Sequence, residues 1–263
     1  MVMASPIGRG WRLNSESLHC NVIWLWLEGL RNPAYKSLMR SASLKIACLT
    51  LAALGIVAPP AMAETLSQPL KVIELFTSQG CSSCPPANAS LVRIDDQTPD
   101  VLPLSYGVTY WDYLGWSDTF GDPAFTARQR QYDVALDSGV YTPMLVVDGQ
   151  AHASRLAKIA HSGSIPDALR LVRHSGELCI EGKDLPAGSK LALVNYQPGT
   201  QTVFVKRGEN KGRTLTLANV VTDVSYHDWT GAMICGLHPK AALAVLAHDA
   251  QTSAIIGAAQ FEP

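Results

Sequence analysis

Residues Lys71 to Pro86 read KVIELFTSQGCSSCPP, and this stretch decides the fold. Lys71–Thr77 is apolar and rich in β-branched side chains, the mark of a buried strand. Two serines then separate Cys81 from Cys84, and Pro85-Pro86 follow. Prolines are tolerated in a first helical turn, so a helix is predicted to start near Cys81 to Pro85. It runs to about Asp96, with Ala87, Leu91 and Ile94 inward. A strand leading directly into C-x-x-C at a helix start is the arrangement a redox dithiol needs. The two sulfurs meet within about one turn and can close a Cys81–Cys84 disulfide. Unpaired amides and the helix macrodipole favour a thiolate at Cys81. Cys81 is therefore the expected attacking thiol and Cys84 the resolving one.

Outward from this stretch, Val101–Gly107 is a second strand and Thr109–Phe120 a long aromatic loop. Asp122-Pro123 is an N-cap with proline at the first helical position. Phe125, Gln129, Tyr132 and Leu136 mark one face of that helix, and Ser138-Gly139 ends it. Met144–Val147 is a third strand, stopped by the turn dipeptide Asp148-Gly149. Ile165 to Arg173 is read as a closing helix. This alternation predicts an α/β layer structure. Thr142-Pro143, just before the third strand, stands where a thioredoxin-like fold places a cis-proline beside its dithiol. From Gly176 to Pro263 no helical period survives. Short apolar or alternating runs, punctuated by Gly, Pro, Asn and Asp, predict an antiparallel β region. It is either a separate sandwich or an extension of the first sheet.

The chain of 263 residues carries a net charge of −1, with 47% hydrophobic and 16% charged residues. That balance argues against a nucleic-acid partner, which selects for basic surplus. Residues 39–63 have a positive start, the 13-residue apolar run Ile46–Ala58 and small residues at Ala61-Met62-Ala63. This is the pattern of a secretory signal peptide. Residues 1–38 ahead of it are expected to be a leader or to precede the true start at Met39. Cleavage leaves residues 64–263, with 15 Lys and Arg against 20 Asp and Glu, suited to an exported protein with no stable membrane anchor. Four cysteines remain: Cys81, Cys84, Cys179 and Cys235. In an oxidising compartment, periplasmic or extracellular, Cys179 and Cys235 are expected to form a structural disulfide; the alternative is a second redox pair that relays electrons from Cys81 and Cys84.

The runs ELFTSQGCSSCPP, TYWDYLGW, FTARQRQY, YTPMLVVDG and RGENKGRTLTLANVV resemble the exported thioredoxin-like family called domain of unknown function 1223. The resemblance spans about Leu70 to Gln260. It implies a thioredoxin-like domain over 70–175, followed by the β region at 176–263, and it implies export. It carries no established activity. Gly107-Val108-Thr109 departs from the His-Val-Asp common in the family at this point, so any role of that His and Asp is lost here.

Other residues carry two readings each. Glu74, mid-strand among apolar neighbours, is a candidate to exchange a proton with Cys84, its pKa raised towards neutrality by burial; the plain alternative is a solvated or backbone-satisfied carboxylate. Trp111, with Thr142 and Pro143, is a candidate wall of the substrate site, and the aromatic loop around it otherwise packs onto the sheet. Arg207–Arg213 is a candidate basic, anion-binding tip, with a hairpin turn of solvated charges as the simpler reading, and Arg128 and Arg130 read as a solvated helix face. The histidines show no ligand spacing. No cofactor and no metal site are expected.

The favoured function is an exported thiol–disulfide oxidoreductase acting on protein or small thiols. One alternative is Cu(I) binding or delivery, with Met144 beside the thiols. The other is a non-catalytic binding module with a structural C-x-x-C disulfide.

Overall fold

The computed structural model describes residues 65–69, 71–156 and 163–263. The expected signal sequence and leader lie outside them. The elements are β1 (Thr65–Ser67), β2 (Lys71–Thr77), α1 (Pro85–Gln97), β3 (Val101–Gly107), α2 (Pro123–Leu136), β4 (Met144–Val147), β5 (Ala151–Ala153), β6 (Leu169–His174), β7 (Glu177–Gly182), β8 (Lys190–Phe204), β9 (Thr214–Asp228), β10 (Ile234–Leu237), β11 (Ala242–His248) and β12 (Ile255–Glu262). The described chain is a mixed α/β structure, mostly sheet, with two helices.

Nine strands form one sheet in the order β1-β12-β11-β8-β9-β3-β2-β4-β5. β2 lies inside it, parallel to β3 and antiparallel to β4. Both its faces are covered, which is why its sequence is continuously apolar rather than alternating. Ile73 and Leu75 pack against Ala87 and Leu91 of α1. Val72 and Phe76 pack with Phe125 and Tyr132 of α2. Asp122 caps α2 by accepting from Ala124 N, with Pro123 next. Asp148-Gly149 forms the β4–β5 turn with both φ angles positive, 51° and 67°, closed by Gln150 N donating to Val147 O in a three-residue hairpin connection.

The C-terminal region extends the first sheet. The long hairpin β8–β9 pairs from Lys190↔Asp228 to Phe204↔Thr214, and β9 joins β3 in parallel at Ser105↔Val220. A small second sheet, β10-β7-β6, packs Leu171 and Ile180 against Leu193 and Val245 of the large one. Gly182 lies under the Trp229 ring; a Cβ there would meet the indole at 2.5 Å, so only glycine permits the approach. The Cys179–Cys235 disulfide links β7 and β10 as expected.

The predicted helix over Ile165–Arg173 is corrected: Leu169–His174 is strand β6, paired antiparallel with β7. Leu169 and Leu171 are buried while Arg170 between them is exposed and Val172 only half-buried, an alternation of period two. Ser175 and Gly176 both take positive φ, so the segment reverses as a hairpin. No helix among the described residues is long and apolar enough to cross a membrane.

Candidate functional site

β2 ends at Thr77, and Ser78–Gly80 make a buried turn into the dithiol. Cys81 N donates to Ser78 O and Cys84 N to Cys81 O, each at 3.2 Å. The helix proper begins at Pro85, with Cys84 as its N-cap. The expected start near Cys81 to Pro85 is thus met at its late end, and Cys81 sits one turn ahead of the helix. Both cysteines are free thiols in this structure. Thr142–Pro143 is a cis peptide bond, as the sequence predicts.

The sulfurs differ sharply in their titration. Cys81 is lowered from 9.0 to about 6. The Cys84 thiol beside it contributes most, burial opposes, and the hydroxyls of Ser83 and Thr142 help; Ser83 Oγ lies 3.3 Å from Cys81 Sγ. Cys84 is pushed far up, first by burial and then by Cys81. One sulfur is therefore held ready as a thiolate and the other as its protonated partner. Cys81 is only 1% exposed, so the loops around it control access.

Those loops are the aromatic loop, the segment before cis-Pro143 and the tip of the β8–β9 hairpin. Trp111 Nε1 donates to Thr142 Oγ1 at 2.7 Å, and the Trp111 Cβ lies against Gly80. The aromatic loop therefore supports the residue before the cis-proline. Asp118 accepts from Gln79 N at 2.7 Å and from Phe120 N at 2.9 Å. Burial pushes its carboxyl up to about 6, against those two hydrogen bonds. Gln79 in turn accepts from Trp116 Nε1 at 2.8 Å. The third contributor is the β8–β9 hairpin tip. Asn210, fully buried, donates to Gln79 O and Cys81 O, and Glu209 accepts from Ser82 N at 3.0 Å. The tip is the expected hairpin turn, but these two side chains are not merely solvated: they hold the dithiol loop. Sequence reading missed Asn210, Glu209, Asp118 and Gln79, since nothing local marks a polar loop residue as a partner of the dithiol loop, 39 residues away for Asp118 and more than a hundred for Asn210 and Glu209.

Two expectations are corrected on the other face of β2. Arg128 is not on a solvated face; it is 2% exposed. Its Nε donates to Glu74 Oε1 at 2.6 Å and its Nη2 to Glu74 Oε2 at 3.0 Å. Tyr132 Oη also donates to Glu74, and Arg128 Nη2 donates to His248 Nε2 at 3.2 Å. Burial raises the Glu74 carboxyl, but Arg128 overrides it and the net shift is downward, not towards neutrality. Side chains alternate across a sheet, so Glu74 shares its face with Val72 and Phe76, the α2 side. Among the described residues no hydrogen bond joins Glu74 to Cys84.

Met144 is buried, and its sulfur accepts from Gln129 Nε2 at 3.5 Å. No group of three or more His, Cys, Asp or Glu among the described residues is placed to hold a metal ion.

Fold and site together define a mixed α/β protein that presents a C-x-x-C dithiol beside a cis-proline. The chain belongs to the family described as Protein of unknown function (DUF1223), whose model matches residues 72–256. A crystal structure of a protein from Agrobacterium tumefaciens is similar, with 28% identity and a TM-score of 0.59 over 74% of this chain and 95% of that one. HBP35 of Porphyromonas gingivalis aligns at 12% identity and a TM-score of 0.43, over 73% of this chain and 74% of that one. No curated protein matches the chain.

Proposed function

We propose that this protein is an exported, thioredoxin-like thiol–disulfide oxidoreductase that acts on thiols or disulfides of other exported proteins. The observation that carries the reading is the asymmetry of the pair: Cys81 lowered to about 6 and Cys84 raised, beside cis-Pro143. The Cys81 thiolate attacks a substrate disulfide, forming a mixed disulfide and releasing one substrate thiolate. That thiolate takes the Cys84 proton. The Cys84 thiolate then attacks the Cys81 sulfur, closing the Cys81–Cys84 disulfide and releasing the second substrate group as a thiolate. Two electrons pass to the substrate; the reverse sequence oxidises a dithiol. Thr142 and Pro143 border the attacking sulfur, and Trp111 holds Thr142 in place.

The deciding experiment is the reduction potential of the Cys81–Cys84 pair, read by alkylation and mass after equilibration in graded thiol buffers. A potential between about −270 and −120 mV is expected, the span of known thiol oxidoreductases. A pair that stays oxidised well below about −300 mV is a structural staple and overturns the reading.

A further inference from the structure

A groove of about 1040 Å³ opens beside the dithiol. It begins at Ser83 and Thr142, whose hydroxyls hydrogen-bond the Cys81 sulfur. From there it follows one face of α1, through Ser90 and Arg93, to Thr98. Its far wall, after β5, carries Arg155. Among the described residues two arginines line it and no carboxylate does, although the chain as a whole is net negative. Two of the nearby acids are engaged elsewhere. Asp95, two residues from Arg93, turns away to accept from Asn219 Nδ2 at 2.7 Å. Glu209 stands outside the groove lining, with its carboxylate at Ser82 N. The dithiol thus has a negative charge at the hairpin tip and, on its other side, the groove arginines Arg93 on α1 and Arg155 after β5.

Length decides what fits. Ser83 to Thr98 spans roughly fifteen residues, about 22 Å at the helical rise. That is the reach of about six or seven residues of extended chain, longer than a small thiol. We propose that the groove binds an extended polypeptide segment whose cysteine meets Cys81 and whose acidic residues, about four or five positions away, meet Arg93 and Arg155. This rests on the oxidoreductase reading for its chemistry, and the groove selects the substrate. Repulsion from Glu209 disfavours the opposite direction along the site.

Two measurements on the purified protein test it separately from the redox reading. In the first, labelled decapeptides are compared by fluorescence anisotropy, one with Glu-Glu five residues from a central alanine and one with Gln-Gln there. The acidic peptide should bind about five- to tenfold tighter at low salt, as two exposed ion pairs of ordinary worth give. The preference should vanish in Arg93→Gln/Arg155→Gln and in high salt. Equal binding of both peptides overturns the proposal, whatever the dithiol does. In the second, the central residue is cysteine carrying a thionitrobenzoate mixed disulfide, and release of thionitrobenzoate is timed. The acidic peptide should react faster by a similar factor, again only with both arginines present. If binding is selective but neither peptide reacts, the groove stands and the oxidoreductase reading fails. If both react at one rate, the groove does not select and the proposal falls.

Discussion

The Asn210 side chain donates to the Cys81 carbonyl at 2.8 Å and to the Gln79 carbonyl at 3.0 Å, bridging 129 and 131 residues of chain. Its own carbonyl accepts from Arg213 Nη1 at 2.9 Å, so the amide is oriented before it reaches the dithiol loop. Asn210→Ala leaves two buried carbonyls without that donor, a loss of about 1–3 kcal/mol. The melting temperature should fall, and Cys81 should alkylate faster at a fixed pH because its cover is loosened. Unchanged alkylation with lowered stability would show that the clamp acts on the fold alone.

The Cys81 thiolate sets a second expectation. Its rate of alkylation by iodoacetamide should rise through about pH 6 and level off above, because the thiol is lowered to about 6. An ordinary thiol is still climbing at about pH 8. Cys84→Ala removes the largest stabilising contact and should move the midpoint up towards the ordinary thiol range. Alkylation profiles of the two proteins, read by mass, check this.

Glu74 and Arg128 form a bidentate, buried ion pair. Glu74→Gln leaves the guanidinium without its counter-charge and should destabilise the protein by about 3–5 kcal/mol. Replacing both, as Glu74→Leu with Arg128→Met, should cost less than either single change. In that double variant the pH dependence of mixed-disulfide resolution should match the wild type. A displaced profile would restore a proton-transfer role to Glu74.

His248 makes the fold acid-sensitive. Burial first and Arg128 second lower it from 6.5 to about 4, with Glu74 opposing. Ser253 O accepts from Nδ1 at 2.9 Å, which leaves Nε2 to accept from Arg128. Between pH 6.5 and 4 the unfolded chain binds the proton and the folded one does not, so the His248 contribution to stability falls on acidification, by about 3 kcal/mol over the window. Asp118 works in the opposite sense, since its carboxyl is raised from 3.8 to about 6 by burial and the folded state there binds the additional proton. His248→Gln isolates the first effect. The wild-type advantage over the variant in urea unfolding should shrink by about 3 kcal/mol from pH 7 to pH 4.

The Cys179–Cys235 bridge closes a loop with a sequence separation of 56. Loop entropy assigns it about 4 kcal/mol. The double alanine variant should lose about that much in urea unfolding while the potential of Cys81–Cys84 stays unchanged. A shifted potential would mean that the two cysteine pairs exchange electrons.

The sequence by itself determined whatever depends on neighbours along the chain. β2, β3 and β4 have the expected limits and Asp122 caps α2, because apolar runs, caps and turn dipeptides act over a few residues. Ser175-Gly176 carried a hairpin signal of the same kind, yet the apolar residues of 165–173 also satisfy a helical period, and only pairing with β7 settles the conflict. Tertiary structure decided the rest. Whether Glu74 meets α1 or α2 depends on which helix covers which face of β2, and Arg128, 54 residues away, turns it into a buried ion-pair partner. Asn210 and Glu209 look like turn residues until β8–β9 is long enough to carry its tip to the dithiol. Such contacts form when the sheet assembles, since burial and hydrogen-bond satisfaction are decided by what packs opposite a residue.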